Sequence, residues 1–325
     1  MNSPNPGRTE PSQTSVGWIG TGRMGAAMAA RLADAGVDLA VWNRTPAKAR
    51  PLEAHGASVC ASISELRTRD VVFTTVAGPP DLEEVLLGDN GLLATDGAVP
   101  GIVVDCSTVS AESSQTIREA CAERGVAFLA APVSGNAQVV EAGQAGLVVS
   151  GPEETFTRVE PLLREIGTTV TYVGDGEASR LVKIAHNLFL GVVTQSLAEV
   201  TVLAEKGGVS RHAFLEFLNG SVLGSTFTRY KSPAFVNLDY TPTFTPPLLR
   251  KDFDLGLGAA SDMDVPMPLA AITAALIQSV IGRGRTDEDF AVLLDQQAAS
   301  SGMELTPEHV DVDDGLTTNG KAGES

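Results

Sequence analysis

The sequence predicts an α/β N-terminal domain of the Rossmann type, a doubly wound parallel sheet. It is followed by an all-α C-terminal domain built around one long helix. Three observations carry this. Short apolar runs alternate with helical patterns through the first half. The first run leads into Gly20, Gly22 and Gly25, spaced G-x-G-x-x-G. From about residue 177 to 206 the chain then reads as one proline-free apolar helix.

The elements follow in order. The runs at 16–19, 39–42, 71–76, 102–105, 127–130, 147–150 and 170–173 read as strands. Segments such as Ser110–Arg124 and Glu153–Ile166 carry apolar residues at helical spacing between them. Strands alternating with helices imply βαβ units and a mostly parallel sheet. In the second half, Leu181, Val182, Ile184, Leu188, Phe189, Val192, Val193, Leu197, Val200 and Leu203 cover most of the long helix's circumference. A helix apolar nearly all round is buried by neighbours. Further helical patterns fall at about 210–219, 251–263, 268–282 and 287–300. The expected division is a flexible arm over 1–14, a cofactor domain over 15–176, a helical substrate and dimerisation domain over 177–302, and a disordered acidic tail over 303–325.

Composition bounds the function. A chain of 325 residues with 43% hydrophobic residues can bury two cores. The formal charge of −17 argues against nucleic acid. Beyond Met303 there are six acids and one lysine, with few apolar residues, hence the expectation of disorder. Cys60, Cys106 and Cys121 have no metal-ligand spacing, so no metal is expected; an odd, sparse set fits a reducing cytoplasm. No apolar run approaches the length of a membrane span.

A lone G-x-G-x-x-G is a weak signal, and its context is the test. Here "VGWIG" is a compact strand and "RMGAAMAARLADAG" a helix closed by Gly36. Gly20 permits the tight turn, Gly22 lets the backbone approach a pyrophosphate and Gly25 lets helix and strand pack. Gly20, Thr21, Gly22, Arg23 and Met24 are therefore the expected phosphate cradle, at a helix N-terminus that favours anions. The second strand ends in Asn43-Arg44-Thr45 rather than in an acid. Arg44 can pair with a 2′-phosphate, so NADP(H) is the expected cofactor and NAD(H) stays open.

Four motifs in order resemble the 3-hydroxyisobutyrate dehydrogenase family, within the wider β-hydroxyacid dehydrogenases. They are "GWIGTGRMGAAMAARL", "APVSGNAQVVEAG" at 131–143, "GDGEASRLVKIAHN" at 174–187 and "LRKDFDLG" at 249–256. The resemblance implies hydride transfer between a nicotinamide cofactor and a small β-hydroxy acid or semialdehyde. It assigns proton transfer to Lys183, with Asn187 four residues on and on the same helix face. A lysine inside an apolar helix is partly desolvated, which favours its neutral form. Ser134, Gly135 and Asn136 would receive the substrate carboxylate, Thr108 and Val76 would line the cofactor crevice, and Lys251 would be the cofactor lysine with Asp252 orienting it. The chain departs from the family pattern at Ala131, Asn136, His186 and Asp254, which leaves the substrate open. His186 reads equally as a site residue or a core histidine. Arg229 and Lys231 are weaker candidates for a substrate anion beside their reading as surface residues. The helix at 177–206 carries more apolar surface than the residues after it cover, and the resemblance implies its burial against a second subunit, so a homodimer or higher oligomer is expected. Two other readings stay beside it: imine reduction on the same architecture, disfavoured by a lysine at 183, and a non-catalytic cofactor-binding protein, disfavoured by Lys183 and Asn187 together.

Overall fold

Branched apolar runs bounded by polar turns form the strands. A computed structural model describes residues 14–94 and 97–316. The strands β1 (Ser15–Ile19), β2 (Asp38–Trp42), β3 (Ser58–Val59), β4 (Val71–Thr74), β5 (Ile102–Asp105) and β6 (Ala127–Ala130) pair in parallel, in the order β3-β2-β1-β4-β5-β6. This is the doubly wound order, whose direction reverses between β1 and β4. Successive side chains on a strand face opposite ways. Trp18 and Phe73 stack at 5.1 Å and pack on one side with Met28 and Leu32 of α1 (Arg23–Asp34) and Leu162 and Ile166 of α5 (Glu153–Ile166). Ile19, Val72, Val103 and Phe128 pack on the other with Leu82 and Leu86 of α2 (Pro79–Leu87) and Ile117 of α3 (Ala111–Glu123).

The runs expected at 147–150 and 170–173 belong to a separate three-stranded sheet. It contains β7 (Val133–Ser134), β8 (Gly146–Val149) and β9 (Thr169–Tyr172), with β7 antiparallel to β8. One bridge between Ala130 and Ser150 links it to the end of β6. The short helix α4 (Ala137–Glu141) follows β7.

The long helix α6 is Ala178–Lys206. By compactness the two units divide between Lys183 and Ile184, inside this helix. Its first turn is held by the N-terminal unit: Ser179 Oγ donates to Ala130 O (3.0 Å), and Arg180 bonds the end of β5 and α3. Contrary to expectation, α6 is long and apolar enough to cross a bilayer, with hydropathy 1.4 over 18 residues. Half of that window is buried in protein, as in a core helix.

In the C-terminal unit, α7 (Arg211–Gly220), α8 (Thr226–Asn237), α9 (Pro246–Asp262), α10 (Pro268–Gly282) and α11 (Leu293–Ser300) surround the remainder of α6. Leu188, Leu249, Phe253 and Ile277 form one cluster; Leu197, Val202, Leu215, Phe235 and Leu294 form another. The expected disorder over 303–325 is corrected for 303–316. That segment has no helix or strand, yet Met303, Leu305, Val310 and Val312 pack on the second cluster. Glu308 accepts from the backbone of Arg211 (2.6 Å) and His212 (3.1 Å), and Asn237 Nδ2 donates to Val310 O (2.8 Å). Glu308 is a capping group for α7, at the helix end that favours negative charge. Residues 1–13 of the expected arm and 317–325 of the tail lie outside the described residues.

Candidate active site

The carboxyl ends of β1, β2, β4 and β5 lie along one edge of the parallel sheet, where α/β proteins bind ligands. At β1 the three glycines answer to three different constraints. Gly20 has φ +94°, and a Cβ there would stand 2.1 Å from Thr75 O. A Cβ on Gly25 would stand 2.0 Å from Gly20 O. Gly22 is different: a Cβ there would meet nothing within 4 Å among the described residues. The protein itself gives no reason for glycine at 22, whereas a ligand approaching the backbone does. Helix α1 begins there with no side-chain cap and no acid in its first turn, so its N–H groups face that space. Thr21 Oγ1 is buried beside it with no partner among the described residues. Gly20–Met24 thus fit a bound pyrophosphate.

Asn43 and Arg44 follow β2 but do different things. Asn43 Oδ1 accepts from Thr21 N (2.9 Å), and its Nδ2 donates to Thr45 O (3.0 Å). It braces the glycine loop, and its carbonyl oxygen is already engaged. Arg44 projects outward, its side chain 82% exposed, and pairs with Asp81 of α2 at 2.9 Å. Arg44, Thr45 and Lys48 are exposed at this edge.

Past β4 and β5 the chain is tied by a buried carboxylate. Asp105 Oδ1 accepts from Thr74 Oγ1 (2.6 Å), Ser107 Oγ (2.6 Å) and Ser107 N (3.1 Å). Ser107 Oγ in turn accepts from Val76 N (2.9 Å). The loops carrying Val76 and Thr108 therefore form one braced unit. Ser110 caps α3 by accepting from Ser113 N. Burial beside Asp105 pushes the Cys106 thiol well above its ordinary range, so this cysteine stays protonated.

Ser134 ends β7, and Gly135 follows with φ +113°. Asn136 caps α4, its Oδ1 accepting from Val139 N (2.9 Å). Its Nδ2 is buried with no protein partner among the described residues, which leaves a donor in the segment read as carboxylate-binding. Lys183 is buried, 8% exposed, at the end of the N-terminal unit.

In the C-terminal unit, Asn187 is 4% exposed. Its Nδ2 donates to Asp252 Oδ2 (2.6 Å), and its Oδ1 accepts from His186 Nδ1 (3.0 Å). Asp252 Oδ1 also lies 3.7 Å from Lys251 Nζ. One carboxylate thereby orients both the asparagine and the lysine; sequence reading linked it only to Lys251. His186 is no core histidine, being exposed and bonded to Asn187. Lys251 is partly exposed and lines an open groove with Arg250 and Asp254. Lys231 is a correction: it is 3% exposed, not a surface residue. It pairs with Asp289 at 2.6 Å and sits 4.4 Å above the Phe290 ring. Burial lowers its pKa, an effect that Asp289 opposes. Arg229 is exposed, as expected.

Comparison with known proteins places both halves of the chain in one family. Residues 15–174 match the NAD binding domain of 6-phosphogluconate dehydrogenase. Residues 176–296 match the NAD-binding domain of NADP-dependent 3-hydroxyisobutyrate dehydrogenase. The chain is 31% identical to glyoxylate/succinic semialdehyde reductase 2 of Arabidopsis thaliana, over 91% of this chain and 83% of that one. It is 31% identical to 3-hydroxyisobutyrate dehydrogenase of Pseudomonas aeruginosa, over 81% and 91%. The crystal structure of 3-hydroxyisobutyrate dehydrogenase from Salmonella typhimurium superposes with TM-score 0.78 at 28% identity, covering 87% of this chain and 99% of that one. With a glycine loop shaped for a ligand and both halves of the chain matched in order, the protein belongs to the 3-hydroxyisobutyrate dehydrogenase family of NAD(P)-dependent β-hydroxyacid dehydrogenases.

Proposed function

We propose that the protein interconverts a small β-hydroxy acid and its semialdehyde or ketone with NADP(H), and that Lys183 moves the proton. The nicotinamide of a bound cofactor supplies or accepts the hydride. In the oxidative direction the Lys183 amine takes the hydroxyl proton as the C–O bond gains double-bond character; in reduction the ammonium returns a proton to the carbonyl oxygen. The observation that carries this reading is a buried lysine followed, one helical turn on, by an asparagine whose amide is fixed on two sides. With Oδ1 held by His186 and one Nδ2 hydrogen by Asp252, the other Nδ2 hydrogen serves the substrate oxygen. Ser134, Gly135 and the unspent Asn136 amide serve the substrate carboxylate.

NADP(H) preference follows from Arg44, whose exposed guanidinium suits a 2′-phosphate. A cytoplasmic location accords with three free cysteines. We also propose a homodimer or higher oligomer. Phe189 and Leu203 of α6, Phe217 of α7, and Leu269 and Ile272 of α10 are each more than half exposed. Large apolar side chains gathered on one unit mark association surfaces. A folded, active monomer by light scattering at micromolar concentration overturns that expectation.

Lys183→Ala tests the mechanism. On the best substrate from a panel of hydroxy acids and semialdehydes, kcat should fall at least about 100-fold, the scale of general acid–base catalysis. NADPH affinity, read by fluorescence titration, should hold. Lys183→Arg should not restore the rate, because a guanidinium does not release its proton. Near-normal turnover of Lys183→Ala sinks the reading.

A further inference from the structure

The N-terminal unit contains a buried ion pair with no assigned role. Arg180 is 1% exposed and Asp105 0%. Arg180 Nη2 donates to Asp105 Oδ2 (2.5 Å), Nη1 to Ser107 O (2.5 Å) and Nε to Ser114 Oγ of α3 (3.1 Å). Asp105 is itself the acceptor for Thr74 and Ser107, and Ser107 holds Val76 N. One guanidinium in the first turn of α6 therefore closes a network through the ends of β4 and β5, the segments that carry Val76 and Thr108. Lys183 is three residues further along the same helix.

Burying two charges costs several kcal/mol in desolvation, and a packed apolar pair of the same volume is often at least as stable. Stability alone is thus a poor reason for this pair. What the arrangement supplies is geometry. A planar fork with three bonds, two to the end of β5 and one to α3, fixes rotation and rise of the first helical turn in a way that a point charge does not. We infer that Arg180 is a positioning residue: through Asp105 and Ser107 it sets the register of Lys183 against the Val76 and Thr108 loops. The inference rests on Lys183 as the proton-transfer group.

The test is a double-mutant cycle on the full chain with Arg180→Lys and Lys183→Ala. It reads single-turnover rates by nicotinamide absorbance, NADPH affinity by fluorescence, and melting temperature. Arg180→Lys keeps the charge and removes the fork. It should lower the rate about tenfold or more, since a misplacement of ~1 Å can cost ~10²-fold. NADPH affinity should stay within about threefold, and in the Lys183→Ala background the same substitution should cost less than about threefold, because residues acting as a unit are non-additive. A purely structural arginine gives the same loss in both backgrounds. Equal losses overturn the inference, as do a normal rate in Arg180→Lys and a parallel loss of NADPH binding. Near-normal turnover of Lys183→Ala overturns the Lys183 reading and this inference with it; a slow Lys183→Ala with equal losses overturns this inference alone. Should Arg180→Lys not fold, Asp105→Asn carries the same cycle, as it keeps the shape of the acceptor and removes its charge.

Discussion

Among the described residues two arginines are sealed from solvent, and they serve different ends. Arg180, in the N-terminal unit, is 1% exposed; Arg211, in the helical unit, is 0% exposed. Arg180 closes on a carboxylate that is already fixed by strand-end hydroxyls. Arg211 closes mainly on backbone. It donates to Phe235 O (2.8 Å) and Val236 O (2.9 Å) at the end of α8, and to Thr306 O (2.5 Å) in the irregular C-terminal segment. Glu205 accepts from it at 2.6 Å, and Glu308 lies at 3.8 Å. The last carbonyls of a helix have no intrahelical partner, so Arg211 satisfies groups that α8 leaves over. The pair teaches that burial of a charge does not announce its use. One guanidinium sits among candidate site segments; the other staples a tail to a helix end.

The largest expected effect on stability separates them. Arg211→Met leaves Phe235 O, Thr306 O and the Glu205 carboxylate without their donor, while Val236 O keeps Glu308 N. Breaking a buried charge network by removing one partner costs about 3–5 kcal/mol. Chemical denaturation should show a loss on that scale, while turnover per folded molecule stays within about twofold because no proposed site residue contacts Arg211. Arg180→Lys should show the reverse balance, a large loss of rate with a smaller loss of stability. If Arg211→Met slows turnover as much as Arg180→Lys does, the two clamps do not differ in kind.

The same contrast explains what was legible in the sequence. The β1–turn–α1 unit announces itself because its signals are local: an apolar run, glycines at fixed offsets and an amphipathic helix. Helix α8 escaped because Pro233 interrupts its pattern, although Ser225 and Thr228 form a capping box at its start. The edge strand β3 and strand β7 have two residues each, too few to show a period. The tail read as disordered because its acids look solvated, but Glu308 meets its partners 96 and 97 positions away. Lys183 and Asn187 were found through motif order. Their supports were not, because the Asn187–Asp252 bond spans 65 residues and the Arg180–Asp105 bond spans 75. Asn43 shows the same limit: as sequence it marks a ribose position, but in the fold it holds Thr21 N, 22 residues back.

Arg44 gives the comparison its exposed extreme, and the smallest expected effect on stability. Its ion pair with Asp81 is mostly solvated on the arginine side, and such surface pairs contribute between 0 and about 1 kcal/mol. Arg44→Asp should therefore leave the melting temperature almost unchanged. Its effect belongs to cofactor choice. A 2′-phosphate offers the guanidinium a stronger, doubly charged partner than Asp81 does. Removing hydrogen bonds to a charged group costs about 1.5–3 kcal/mol, which is roughly 10- to 150-fold in affinity. The substituted carboxylate adds repulsion toward the phosphate and can accept from ribose hydroxyls instead. The ratio of kcat/KM for NADPH to that for NADH should fall by at least about tenfold. Asp81→Asn is the partner measurement: it releases Arg44 from its competitor, so NADPH should bind somewhat tighter while NADH binding is unaffected. A parent protein that already favours NADH, or a ratio unmoved by Arg44→Asp, removes Arg44 from the cofactor site and leaves it a surface residue paired with Asp81.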